Sequence, residues 1–296
     1  MKSAMGRVFI IHWYDNCSCR GMYMRFFLMI WLVAFLQCDS RRNGDKNVSR
    51  QWQPGKEIPV LCYHNIRTVL DHHSPELTVT EQTFDDQIRA LYENGYHTIL
   101  PDDLYNYLTK GSPLPSKPIM ISFDDSHEEH FSIAAKEMER YGFRGVFFVM
   151  TIVINKPHYL SSQEIYALAK AGHTIACHTY DHPLLTRLPD NEWSNEIDKP
   201  RKLLEQITGK PVDYFAYPYG SWNERAVDEL KTRGIKAAFQ LSEQQNSRDP
   251  LYTIRRVMIS DTWSMAKLED EIHSAFNRKN LAGLTKIDHR LSNERP

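Results

Sequence analysis

The chain has 296 residues, enough for one large domain, and carries 36 Lys plus Arg against 37 Asp plus Glu, a net charge of −1. That balance supplies no field to draw it to nucleic acid or to an anionic membrane surface, which leaves a neutral polymer or a small molecule as the partner class. Five cysteines, Cys17, Cys19, Cys38, Cys62 and Cys177, form an odd set without the spacing of a disulfide framework or a zinc knuckle.

Near the N-terminus, Met24 and Arg25 precede the apolar run Phe26 to Leu36 and then Cys38, the order of a secretory leader. The run is too short to span a bilayer comfortably. It resembles a bacterial lipoprotein signal with Cys38 as the lipid-bearing residue, although Gln37 stands where such signals carry a small residue. Simple secretion and an uncleaved anchor are the alternatives, and Met24 is a candidate start of translation. Residues 1–38 are read as this leader and 39–57, polar and charged, as a flexible tether. Membrane contact is expected only through the lipid or leader, and the protein is expected to be a monomer in the cell envelope.

From Ile58 onward, strand and helix patterns alternate. IPVLCYH (58–64) reads as a buried strand, with Cys62, like Cys177 later, a small buried thiol. The next helix is predicted to start near Thr83 as its cap, with Phe84, Ile88, Leu91 and Tyr92 at helical spacing and Gly95 closing it. A second helix carries Phe131, Ala134, Ala135, Met138 and Tyr141 before Gly142. A third runs from Ser161 or Ser162 to Gly172, and a fourth from Asn223 to Gly234. Each glycine leads into an apolar run, HTIL, GVFFVM, HTIAC and KAAFQL, and helix, glycine, strand, repeated, is the grammar of βα units. Pro200 should divide the helix at 190–208; TIRRVMIS reads as a late strand and Leu268 to Phe276 as a closing helix. These elements predict an α/β domain over 58–284 with a mostly parallel sheet, followed by a polar tail at 285–296.

The chemistry collects at strand ends, where parallel βα architectures gather their ligands. IMISFDDS (119–126) is an apolar strand closed by Asp124 and Asp125, two acids that are costly there unless they hold a metal or a proton. The first strand ends at His64, another runs into HTYDH with His178 and His182, and a fourth ends in FAYPYG with Tyr217, Pro218, Tyr219 and Gly220. His178 and His182, four apart, can meet one ion. With one carboxylate of the Asp124/Asp125 pair they make a two-His, one-carboxylate set for zinc or another divalent metal, and the second carboxylate is left free as a base. Taken singly, an HxxxH pair is readily a surface coincidence and an Asp-Asp pair a helix cap; it is their order along successive strand ends that singles them out.

Over roughly residues 58–260 these motifs resemble the polysaccharide deacetylase family, carbohydrate esterase family 4: SFDDS is similar to its TFDDG motif, HTYDH to its H-S/T-x-x-H metal motif and YPYG to its third motif. The resemblance implies a distorted (β/α) barrel, seven-stranded, and hydrolysis of N-acetyl or O-acetyl groups on an acetylated cell-envelope or exported polysaccharide. It implies Asp124 as the catalytic base, Asp125, His178 and His182 as ligands of a divalent metal (Zn, with Co or Ni as alternatives), and the Tyr219 N–H as a donor to the oxyanion. PVLCYHNI looks like the branch containing the poly-N-acetylglucosamine deacetylases, whose motif order is permuted and whose early His supplies the acid; this assigns His64.

The chain departs from the family at several points. Ala216 stands where an Arg often tethers the base, Ser126 replaces Gly and Ser122 replaces Thr. The late Leu-x-His has no counterpart beyond His273 and His289 on spacing. Arg255 or Arg256 is a candidate replacement tether. Asp261 and Trp263 are held outside the site, Asp181 is expected to face solvent, and His127, His130, His158 and His173 are read as structural or surface residues. Two other readings stay open: a catalytically silent carbohydrate-binding lipoprotein on the same scaffold, and a metal hydrolase of small amides.

Overall fold

A computed structural model of the chain describes residues 57–69, 75–241 and 244–277. The leader with Cys38, the tether up to residue 56, His289 and the polar tail lie outside the described residues. No helix among the described residues is long and apolar enough to cross a membrane.

The elements follow in order as β1 (Val60–Tyr63), β2 (Asn65–Arg67), β3 (Thr78–Thr80), α1 (Glu81–Glu93), β4 (His97–Thr98), α2 (Pro101–Lys110), β5 (Pro118–Phe123), α3 (Lys136–Arg140), β6 (Val146–Val149), α4 (Ser162–Lys170), β7 (Thr174–Cys177), α5 (Lys199–Thr208), β8 (Tyr214–Ala216), α6 (Glu224–Thr232), β9 (Ala237–Phe239), β10 (Val257–Met258) and α7 (Met265–Asn277). Seven parallel strands run in the order β10-β1-β5-β6-β7-β8-β9, with the short β4 also paired to β5 and β2-β3 forming a separate parallel pair. The late strand is shorter than TIRRVMIS predicts, but its segment bonds on both sides. Ile254 N–H donates to Ala238 O and Arg256 N–H to Leu241 O, while Ile259 N–H donates to Cys62 O. One segment thereby joins the two ends of the strand order, as a distorted (β/α) barrel requires.

Period-two alternation divides the strands between two apolar clusters. Leu61, Tyr63, Ile121, Phe123, Phe147, Val149 and Cys177 pack with helix residues such as Phe84, Ile88, Met138 and Ile165. Val60, Met120, Phe148, Ala176, Ala216 and Phe239 form the other cluster, inside the curled sheet. Phe123 shows the strength of the first. It is fully buried and stacks on Phe147 at 4.8 Å, worth about 1.5–3 kcal/mol for burial and about 1 kcal/mol more for the ring pair. His64, Asp124 and His178 continue the inner-facing parity of Val60, Met120 and Ala176, so three strands deliver their terminal polar residues to one place.

The helices between glycines form as the periodicity predicts, with corrections at their ends. The cap of α1 is Thr80, not Thr83: its Oγ1 accepts the Thr83 N–H at 3.2 Å. Asp261 decides the matter, accepting the Thr80 N–H at 2.7 Å and its hydroxyl at 2.9 Å from far along the chain. Ser161 caps α4 in a reciprocal box with Glu164, and Asn223 caps α6. The second predicted helix is a π turn, His130–Ala135, running into α3. Pro200 divides the 190–208 stretch as expected, with a π turn at Ser194–Asp198 ahead of α5.

Candidate active site

At the C-terminal ends of β1, β5 and β7 the side chains of His64, Asp124, Asp125, His178 and His182 converge. Asp125 Oδ1 lies 3.5 Å from His178 Nε2 and 3.5 Å from His182 Nε2. Asp124 Oδ2 lies 3.8 Å from His178 Nε2 and 3.9 Å from His64 Nε2 on its other side. The two carboxylates share His178 and part from there, Asp125 toward His182 and Asp124 toward His64.

The question whether Asp125, His178 and His182 fit a metal is answered by their lone pairs. His178 Nδ1 donates to the Ala216 carbonyl at 2.8 Å, which leaves Nε2 of the neutral ring as an acceptor pointing at a carboxylate. Asp125 Oδ1 is buried without a hydrogen-bond partner. Two acceptors facing one another need a cation between them. Ligands about 2.1 Å from one ion at tetrahedral angles stand about 3.4 Å apart, close to the separations seen. Charge agrees: burial would lower the His178 imidazole, but Asp124 and Asp125 outweigh it and raise its pKa, a demand for positive charge at that edge. Burial, then His178, lowers His182 to about 4, leaving it neutral for ligation. Burial favours a neutral Asp125, yet the three histidines hold its carboxyl far below the ordinary range.

A second grouping, Cys62 with His64 and Asp124, is close enough to be considered as a metal site. It is not one, because Arg256 donates from Nη1 to Asp124 Oδ1 at 2.6 Å and from Nη2 to Oδ2 at 2.8 Å, setting a cation where a metal would have to sit. Burial also pushes the Cys62 thiol well up, so it stays protonated.

Arg256 is the residue that Ala216 does not supply. It is fully buried, lies over the Phe148 ring and donates from Nε to Gln240 O at 3.1 Å, so it is fixed on every side. Against the burial that would raise Asp124, Arg256 first, then His178 and His64, bring its carboxyl down to about 2. Arg255, the other candidate, pairs with Glu57 instead. Ala216 still contributes through its carbonyl.

The site is also where the backbone is strained. Among the described residues, eight non-glycine residues have positive φ, and Asp125, Ser126, Thr179, His182 and Tyr219 account for five. Such conformations cost about 1–3 kcal/mol each and persist only where the surroundings enforce them. Ser126 is held by the Met150 N–H donating to its Oγ at 2.8 Å and the Leu160 N–H to its carbonyl at 2.9 Å. Tyr219 is 62% exposed, its ring edge-on to His182 with centroids 4.5 Å apart. Gly220 beside it is obligatory: φ is +66°, and a Cβ there would sit 2.7 Å from the Leu241 N.

Other residues fall outside the cluster. His130 is buried and its Nε2 donates to the His64 carbonyl at 2.7 Å, a structural role that supports the end of β1. His173 accepts the Gly145 N–H through Nδ1 at 3.1 Å, and His127 stacks on Tyr159. Asp181 is exposed, and Asp261 holds Thr80, the cap of α1. His273 lies on α7, which packs against α1, and not at a strand end. Sequence reasoning passed over Glu196, whose carboxylate accepts amides of the histidine loop; nothing in its local pattern marks it.

Comparisons with known proteins bear on this arrangement. Residues 111–238 match the family model described as Polysaccharide deacetylase. The chain is 26% identical over 221 residues to YxkH of Bacillus subtilis (strain 168), provisionally named a polysaccharide deacetylase, covering 74% of this chain and 77% of that one. It is 26% identical over 201 residues to a poly-beta-1,6-N-acetyl-D-glucosamine N-deacetylase of Staphylococcus aureus, covering 62% and 68%. Its fold is similar to that of the Streptococcus pyogenes deacetylase PplD, solved in complex with acetate, with a TM-score of 0.68 at 21% identity over 73% of this chain and 98% of that one.

Proposed function

From the premise that this chain carries a polysaccharide deacetylase domain, we propose that it is a metal-dependent hydrolase removing N-acetyl groups from an exported poly-N-acetylglucosamine. The observation that carries this reading is the division of the two carboxylates, Asp125 turned to two imidazoles and Asp124 clamped by Arg256 opposite His64. The similarity to the staphylococcal enzyme supports the choice of glycan and of amide over ester.

Asp125, His178 and His182 would hold the metal, with zinc first and cobalt or nickel as alternatives. Bound there, a divalent ion supplies Lewis acidity, lowering the pKa of water and polarising the acetyl carbonyl. Asp124, kept ionised by Arg256, takes the proton of the attacking water as that oxygen bonds to the carbonyl carbon. The Tyr219 N–H donates to the oxyanion that develops. His64, across a gap of 3.9 Å from Asp124 Oδ2, gives its proton to the leaving nitrogen as the C–N bond breaks. Acetate and a free amine are the products.

Purified protein loaded with zinc, cobalt or nickel should release acetate from poly-β-1,6-N-acetylglucosamine faster than from chito-oligosaccharides, peptidoglycan or acetylated xylan. No acetate from any of the four would overturn the reading. His64→Ala should lower turnover about 10²- to 10⁴-fold with metal content unchanged; near-normal turnover removes His64 from the mechanism. The envelope location rests on the leader-like N-terminus, and Cys38→Ala should abolish incorporation of labelled palmitate, whereas labelling that persists would exclude lipidation at Cys38.

A further inference from the structure

The histidine loop takes a conformation that its own residues resist. Thr179 and His182 both have left-handed φ, 66° and 68°, a conformation that Thr in particular disfavours. Within the loop, the His182 N–H donates to Thr179 Oγ1 at 2.9 Å. From outside it, the Thr151 N–H donates to Thr179 O and the Ile152 N–H to Tyr180 O. Two of the three amides between the histidines are held by a single carboxylate: Glu196 Oε2 accepts the Tyr180 N–H at 3.0 Å and the Asp181 N–H at 3.3 Å.

Glu196 reaches them because of where its own backbone lies. It sits in the π turn Ser194–Asp198, between the buried anchors Trp193 and Ile197, and is itself only 6% exposed. Pro200 lacks an N–H and its ring clashes with the carbonyl four residues back, that of Glu196, so a regular helix cannot run through this stretch. The turn widens instead, as π turns at functional sites do, and its carboxylate meets the loop.

We propose that Glu196 is a positioning residue for the metal centre, holding the Tyr180 and Asp181 amides so that His178 and His182 are set in ligating geometry before the ion arrives. The inference rests on the reading of Asp125, His178 and His182 as the metal ligands. Glu196 bonds the loop backbone and is not one of the Asp125, His178 and His182 group. Its effect passes through the loop backbone, in the way that partners behind metal ligands commonly tune affinity by 10- to 100-fold.

The test uses the full chain with zinc affinity measured by competition against a chromophoric chelator, and amide exchange measured on the metal-free protein. Glu196→Ala should weaken zinc binding about 10- to 100-fold and accelerate exchange at Tyr180 and Asp181. Glu196→Asp, which keeps the charge but withdraws the oxygens by one methylene, should do the same should the alanine variant fail to fold. Glu196→Gln, which retains an acceptor oxygen at full length, should recover most of the affinity. Wild-type affinity and exchange in the Asp variant overturn the inference, as does a fall in melting temperature alone. Wild-type protein that binds no zinc would instead sink the metal reading, and the exchange data would still decide whether Glu196 braces the loop.

Discussion

Asp124 and Arg256 form a pair that is strong only as a pair. Both are buried, and removing one partner of such a pair costs about 3–5 kcal/mol because the other charge is stranded. Lys at 256 keeps the charge but cannot present two parallel donors. Arg256→Lys is therefore expected to lower turnover about 10²-fold through misplacement of the base. Burial raises Asp124 and Arg256 is the foremost group lowering it. Weakening the clamp lets its pKa climb, and the acid limb of the pH–rate profile should move to higher pH; an unmoved limb would refute the assignment. In stability the sign runs the same way. A carboxyl at about 2 in the fold against an ordinary 3.8 contributes stability that is complete above about pH 4 and lost as pH falls toward 2.

At the scale of elements, strand ends position chemistry and helix ends position strands. The start of α1 depends on Asp261, whose two bonds to Thr80 come from the run after β10. Asp261→Ala should destabilise the protein by about 1 kcal/mol, as loss of a helix cap does. Urea denaturation reads that loss, and acetate release should be unchanged if Asp261 is structural. A large loss of turnover at unchanged stability would place Asp261 in the site. The helices between Gly95, Gly142, Gly172 and Gly234 were legible because a stop residue and an apolar stripe are local signals. The π turns were not: Pro200 announced a break in the 190–208 stretch, but a proline marks where a regular helix fails and not the form the turn then takes.

Across the whole molecule, a metal bound only by the folded state stabilises it by mass action, about 2.7 kcal/mol at a hundredfold excess over Kd. Zinc should therefore raise the melting temperature of the wild type, and a chelator should reverse the gain. Asp125→Asn or His178→Ala should remove the shift; a shift retained in both variants would place the ion elsewhere. The sequence by itself determined the βα alternation, the placing of His64, Asp124 and His178 at strand ends, and the HxxxH spacing, since period, stop residues and short spacings are carried by neighbours in the chain. Only the tertiary structure decided that Arg256 and not Arg255 holds Asp124, that the two aspartates share His178 but part toward His182 and His64, and that Glu196 braces the histidine loop. Those outcomes turn on which side chains meet across different segments: Arg256 reaches Asp124, 132 positions away, as the segment at 254–259 joins the ends of the sheet, and Glu196 reaches the Tyr180 and Asp181 amides from a separate turn, and no local pattern carries information about such meetings.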